Sequence, residues 1–252
     1  MSDPLAGELT LHGRVMPASN ATFVGEIDGL RVVYKPVAGE RPLWDFPDGT
    51  LARREVAAYA VSEALGWDVV PPTVLRDGPA GLGMVQAWRE PDPAQAAVDL
   101  VPQRQLPEGF LHVLDAYDGE DRPISLVHED SAPLRRMAVF DVLVNNADRK
   151  GGHVLEMADG HRYGVDHGVT FHVEHKLRTV LWGWVGDPVP EADLDEVLRL
   201  GKALAGALGD VLSLHLTDPE IDAAVTRCRR LAERAVMPTP RGSYPAIPWP
   251  PF

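Results

Sequence analysis

The 252-residue chain contains a single cysteine, Cys228. One thiol excludes an internal disulfide framework and structural zinc of the Cys-rich kind, and it fits a reducing compartment such as the cytoplasm. Long apolar runs are missing too. The longest stretch without Asp, Glu, Lys or Arg is 11 residues, where a membrane-spanning helix needs roughly 20 apolar ones. The opening Met-Ser-Asp-Pro carries a charge at once and no apolar stretch, so no secretory signal is expected. Basic residues are scarce: 24 Lys and Arg stand against 37 Asp and Glu, a net charge of −13. That balance argues against nucleic acid, or an anionic membrane surface, as a partner held mainly by bulk charge. There is no internal repeat, no His-Glu-x-x-His and no Gly-x-Ser-x-Gly elbow. These absences argue against a zinc protease and an α/β-hydrolase.

What is present reads as strands around one helix, followed by helices. Leu9, Leu11 and Val15 mark a strand, and a small polar turn runs from Pro17 to Thr22. Phe23 to Ile27 and Leu30 to Lys35 flank Asp28-Gly29, a strong hairpin signal. Along the second of these strands Val32 and Tyr34 share one face, Val33 and Lys35 the other. Residues 50–65 carry an apolar stripe at helical spacing that stops at Gly66. Val69 to Leu75 and Leu82 to Trp88 read as two more strands, with Pro71-Pro72 confining the first to a sheet edge or a bulge.

Residues 92–130 hold nine acidic residues against two arginines and show little pattern, so short helical or loop pieces are expected there. Leu134, Met137, Phe140 and Val144 then make a helical face, and a second hairpin turns at Asp159-Gly160. Helices are expected over Asp193–Leu208 and after the capping box Thr217-Asp-Pro-Glu220, with Cys228 on the apolar side of the latter. Six of the last 15 residues are proline, which implies an extended tail, either anchored by Trp249 and Phe252 or disordered. Strands first and helices later imply an α+β protein of two lobes.

Two carboxylates stand out. Asp148 lies in Asn145-Asn-Ala-Asp-Arg-Lys-Gly-Gly-His153, between a helix and a hairpin, and Asp166 follows the second strand of that hairpin. A hairpin reverses direction, so both should reach the same end of it, within about 10 Å. Such a pair suits a divalent metal plus a base, an acid and a base, or merely two turn caps. Lys35, on a strand among apolar residues, needs an anionic partner or must snorkel, and Glu55 on the next helix can reach it. A lysine held by a helical carboxylate and aimed at phosphate oxygens is the device of kinases, with an ordinary surface lysine as the plainer alternative. The turn of Ala18, Ser19, Asn20, Ala21 and Thr22 offers N–H groups and hydroxyls to phosphates, although it lacks the glycines of a Walker A or kinase loop. His167, His172 and His175 are spaced by five and three residues, which matches no familiar zinc site.

Taken in order, these features resemble the phosphatidylinositol 3-/4-kinase-like superfamily, in the style of type II phosphatidylinositol 4-kinases and HipA-type kinases, and an uncharacterised actinobacterial group within it. Phe140-Asp-Val-Leu-Val-Asn-Asn-Ala-Asp148-Arg149 is similar to the Phe-Asp, apolar run, Asn-x-Asp-Arg catalytic loop of that superfamily. Glu55-Val-Ala-Ala-Tyr59 through Val70-Pro71 resembles its lobe-bridging helix and following strand, and Val165-Asp-His-Gly168 its metal-binding Ile-Asp-x-Gly. The resemblance implies a bilobal protein-kinase-like fold. Its β-rich N-lobe with one helix would cover residues 1–88, a mainly helical C-lobe 89–237 and the Pro-rich tail 238–252.

It also implies ATP with Mg²⁺ or Mn²⁺. Lys35 would contact the phosphates, Glu55 would position Lys35, and Gln86, Ala87 and Trp88 would surround adenine. Asp148 would orient or deprotonate the acceptor hydroxyl, Arg149 would add positive charge at the phosphates, and Asp166 would bind the metal. The superfamily usually places Asn as a second metal ligand where this chain has His153. Imidazole is a poorer ligand than an amide oxygen for Mg²⁺ and a better one for Mn²⁺ or softer ions. The expected activity is transfer of the γ-phosphoryl of ATP to a hydroxyl of a protein or metabolite, a lipid being disfavoured by the acidic surface. A nucleotide-binding pseudokinase scaffold and an AMP transferase on the same fold are the alternatives.

Overall fold

The computed structural model describes residues 4–16, 19–242 and 245–252. Five antiparallel strands form the first sheet: β1 (Thr10–Arg14), β2 (Phe23–Ile27), β3 (Leu30–Pro36), β4 (Thr73–Gly78) and β5 (Gly81–Ala87). Their order is β1-β2-β3-β5-β4, so β4, which Pro71-Pro72 precedes, lies at an edge as expected. Alternation puts Val32, Tyr34 and Val85 on one face, where they close a small core with Leu5, Leu9 and Ile27. The pairs Val33↔Gln86 and Lys35↔Met84 set those four residues together on the other face.

Helix α1 (Leu51–Leu65) connects β3 to β4. The Glu40 carboxylate caps its start, accepting from the N–H groups of Leu51 at 3.1 Å and Ala52 at 2.8 Å. It stops at Gly66, whose φ of 68° lets its N–H turn back to the Ser62 and Glu63 carbonyls.

Residues 98–129 depart from the sequence expectation of helical or loop pieces. They form a three-stranded antiparallel sheet of β6 (Val98–Pro102), β7 (Phe110–Tyr117) and β8 (Pro123–Glu129), in the order β6-β8-β7. Two features hide it. The central β8 is buried continuously from Ser125 to His128, so apolar and polar residues do not alternate along it. A register shift between His112 and Leu114 also breaks the period of two along β7.

The remainder follows the pattern more closely. Helix α2 (Ala132–Val144) is capped by Ser131, and its face of Leu134, Met137, Phe140 and Val144 is fully buried. The hairpin of β9 (Val154–Glu156) and β10 (Arg162–Gly164) follows. The helix expected over Asp193–Leu208 is two, α3 (Glu191–Leu204) and α4 (Ala207–Leu212), because Gly206 leaves helical geometry with φ −145° and ψ −130°. Helix α5 (Asp218–Arg234) opens on the Thr217/Glu220 capping box. Cys228 is packed inside it, and burial pushes its thiol up to about 12. Arg54 of α1 is also buried; it pairs with Glu220 and donates to the Thr170 carbonyl at 2.6 Å, tying α1 to the second lobe.

The bilobal α+β architecture is therefore observed, with a β-rich first lobe around one helix and a second lobe of helices with its own small sheets. The end of the chain is docked. Ala246 O accepts from Thr179 N–H at 3.0 Å and from Trp182 Nε1 at 2.9 Å, and Pro251 O accepts from Gly151 N–H at 2.8 Å. The anchors are the buried Pro248 and Pro251 and the half-buried Ile247, while Trp249 is 71% and Phe252 47% exposed. No helix among the described residues is long and apolar enough to cross a membrane.

Candidate active site

Lys35 leaves β3 between the two lobes and meets two carboxylates. Its Nζ lies 2.7 Å from Glu55 Oε1 and 2.9 Å from Asp166 Oδ1. Burial works against the ammonium, yet Asp166 and Glu55 outweigh it and hold the Lys35 pKa above the ordinary lysine range. The second oxygen of Glu55, Oε2, accepts the His167 N–H at 2.9 Å. Glu55 therefore grips both the lysine of one lobe and the backbone beside Asp166 of the other. Burial raises its pKa against the pull of Lys35, while the two donors satisfy one oxygen each. Asp166 has its backbone at φ 60°, a left-handed conformation that Asp tolerates better than most residues. The Lys35 ammonium holds its carboxyl well below the usual range in spite of burial.

His153 joins the two carboxylate loops. Its Nδ1 is 3.0 Å from the Asp148 carbonyl oxygen, which can only accept, so Nδ1 carries the proton. Burial lowers the pKa of the imidazole, which favours the neutral ring with Nε2 as its bare nitrogen. That nitrogen lies 3.5 Å from Asp166 Oδ2. A lone pair facing a carboxylate oxygen is repulsive, and a cation between the two relieves it. The pair thus fits a divalent ion, one hard oxygen and one imidazole nitrogen of the first shell. The described residues contain no group of three such donors, so a bound ion would take its other ligands from elsewhere.

Asp148 lies at the turn after α2, half-buried, with its backbone N–H held by Asn146 Oδ1 at 3.0 Å. Burial raises its pKa, Lys150 opposes this, and Asp166 adds to it. No hydrogen-bond donor among the described residues is recorded at its carboxylate, which lines an open cleft of about 350 Å³. A half-buried carboxylate with raised affinity for a proton and no assigned donor is equipped to accept one.

Arg149 is placed otherwise than expected. Its side chain is fully buried and its guanidinium is spent on Asp141 (2.8 to 3.2 Å), the His153 and Val165 carbonyls and His167 Nε2. It shapes the loops that carry His153 and Asp166 and has no face left for a phosphate. Asp141, which anchors it and also accepts from Asn146 Nδ2 at 2.9 Å, was given no role by sequence reasoning. The clues were its place in the Phe140-Asp pair and a lone carboxylate inside the apolar run from Met137 to Val144.

The remaining candidates divide. Pro17 and Ala18 of the small turn lie outside the described residues. Within the rest, Ala21 N–H is taken by the Gly39 carbonyl at 3.0 Å, and Asn20 Oδ1 by the Arg41 N–H at 2.8 Å. A Cβ at Gly39 would strike that of Ala21, so this glycine permits the close approach. Thr22 Oγ1 donates weakly to Asn20 O at 3.4 Å, and Ser19 is exposed. Gln86 shares the Lys35 face but is buried and donates to Thr73 Oγ1 at 2.8 Å. Ala87 and Trp88 have their N–H groups bound to Pro72 O and Arg31 O, both at 2.9 Å. The sheet has used these two donors, so they are not offered to a purine in this conformation.

No family model matches the chain. Among solved structures, the crystal structure of the Helicobacter pylori proinflammatory kinase CtkA is similar over 92% of this chain and 94% of that one, with 12% identity and a TM-score of 0.49. Among curated proteins, protein Rv2133c of Mycobacterium tuberculosis is 53% identical over 259 residues, spanning 98% of this chain and 93% of the relative. The chain belongs to the family of Rv2133c.

Proposed function

We propose that this chain is an ATP-dependent phosphotransferase of the phosphatidylinositol 3-/4-kinase-like kind, moving the γ-phosphoryl group to a hydroxyl. One observation carries the reading: a strand lysine, a helical carboxylate and a loop carboxylate joined at Lys35 Nζ, at 2.7 and 2.9 Å. A cation pinned this way between lobes is preorganised for anionic oxygens. Glu55 holds Lys35 in place, and Lys35 neutralises charge on the nucleotide phosphates.

Asp166 and His153 would hold the divalent ion. When bound, that ion supplies positive charge to the phosphate oxygens. His153 presents a neutral nitrogen, which favours Mn²⁺ over Mg²⁺ relative to a site with an amide oxygen. Asp148, with its unclaimed carboxylate, orients the acceptor hydroxyl and takes its proton. Arg149 positions the His153 and Asp166 loops from beneath.

The test is incubation with ATP labelled separately at the α and γ positions, with Mg²⁺ or Mn²⁺, in cell extract. Transfer from γ that vanishes in Asp148→Ala and Asp166→Asn is expected. Transfer from α alone would replace this reading with adenylylation, and binding without transfer under either ion would replace it with a nucleotide-binding scaffold. A His153→Asn variant should move the metal preference from Mn²⁺ towards Mg²⁺; an unchanged preference would remove His153 from the metal.

A further inference from the structure

The open cleft beside Asp148 has walls from two loops that the phosphate cluster does not use. Trp44, Asp45 and Phe46 come from the segment before α1, and Lys176 and Arg178 from the segment after Asp166. Its volume of about 350 Å³ sits at the lower end of small-molecule sites, roughly 300 to 1,000 Å³. That is room for a single ring with its substituents. A volume of that size is smaller than an extended peptide or a diacyl lipid.

Its chemistry is balanced. Asp45 and Asp148 supply two negative charges and Lys176 and Arg178 two positive ones, so the lining has no net charge to recruit an anion or a cation. Lys176 Nζ is 2.9 Å from Asp45 Oδ2 and 4.7 Å from the centre of the Trp44 ring. The indole itself is 81% exposed, an arrangement that keeps a large flat apolar surface in water beside donors and acceptors. Phe46 is buried, edge-on to His172 and under the Arg54 guanidinium, so the wall behind is rigid. The Lys176 ammonium is held by Asp45, and Arg178 donates to the Pro245 carbonyl at 3.2 Å. The Asp148 carboxylate as acceptor and the Trp44 indole as a platform for C–H faces are therefore what match a neutral polyhydroxyl ring.

We infer that this cleft binds a neutral, monosaccharide-sized polyol as the phosphoryl acceptor, an inference that rests on the phosphotransferase reading above. One hydroxyl of the sugar lies at Asp148. Its oxygen forms a bond to the γ-phosphorus of ATP while the bond from that phosphorus to the β–γ bridging oxygen breaks. ADP leaves, and the hydroxyl proton passes to Asp148 and then to water.

The experiment reads saccharide binding without nucleotide. Saturation-transfer NMR is recorded on the full chain with glucose, mannose and N-acetylglucosamine. Variants Trp44→Ala, Trp44→Phe and, as a control on an exposed tryptophan outside the cleft, Trp249→Ala are compared. The inference predicts transfer to at least one of the three sugars. The signal should fall roughly fivefold or more in Trp44→Ala, return in part in Trp44→Phe, and stay unchanged in Trp249→Ala. No transfer to any sugar, or a signal indifferent to Trp44→Ala, overturns it. So does γ-label transfer to serine or threonine peptides that none of the sugars competes away. Because no ATP is present in the NMR arm, its failure leaves the nucleotide reading standing. Failure of ATP to bind in a separate titration would leave any sugar signal intact and remove the phosphotransferase, and with it the acceptor role.

Discussion

Replacing Asp141 by Ala would strand the Arg149 guanidinium, which is fully buried, without the carboxylate that holds it. An uncompensated buried charge costs roughly 3–5 kcal/mol, so Asp141→Ala should lower the unfolding free energy by an amount of that order, read as a shift of the urea midpoint to lower concentration. A midpoint close to wild type would mean that Arg149 finds another partner and that the loops rest on something else. Asp148 makes a different prediction. Its pKa is raised, chiefly by burial, and its base form is lost as pH falls through that raised value. The acid limb of transfer should therefore lie above the ordinary aspartate value of about 3.9, and Asp148→Ala should reduce the rate by about a hundredfold or more. A kcat/KM profile flat to the acid side of an ordinary aspartate would take the proton-accepting role from Asp148. Residue types and spacing announced Lys35, Glu55, Asp148 and Asp166. They did not reveal that Arg149 is internal, because a sequence counts cations without showing which of them a buried carboxylate has claimed.

At the scale of elements, the docked tail meets the loop that carries Asp148 and His153. Pro251 accepts from Gly151, and a Cβ at Gly151 would overlap the Phe252 ring. Gly151→Val should therefore release the end of the chain, seen as faster proteolysis between residues 241 and 250; wild-type cleavage kinetics would show that the strap is held elsewhere. Glu40 is the other element-level device. Removing its carboxylate leaves two N–H groups at the start of α1 without their acceptor. Glu40→Ala should cost about 0.5–2 kcal/mol, measured by thermal unfolding. An unchanged melting temperature would assign the cap to solvent. Helix α2 and the hairpins were legible because apolar spacing and Asp-Gly turns survive in the sequence. The β6–β8 sheet was not, since a central strand buried continuously from Ser125 to His128 and a register shift at His112 and Leu114 erase the period that betrays a strand.

For the whole molecule, a net negative charge coexists with a cation at the candidate site. The net charge is −13, yet Lys35 is held ready between the lobes by two carboxylates at 2.7 and 2.9 Å. An anionic bilayer meets the acidic exterior first, so the full chain should not sediment with phosphatidylserine vesicles at physiological salt. Co-sedimentation would restore a lipid among the acceptors. ATP, on the proposed reading, meets Lys35 instead. The most direct measurement is calorimetric titration of the full chain with ATP and Mn²⁺, repeated on Lys35→Met with its fold checked by circular dichroism. The account predicts saturable binding that weakens by roughly tenfold or more when the charged donor is lost. No binding to the wild type, or equal binding to Lys35→Met, would contradict it.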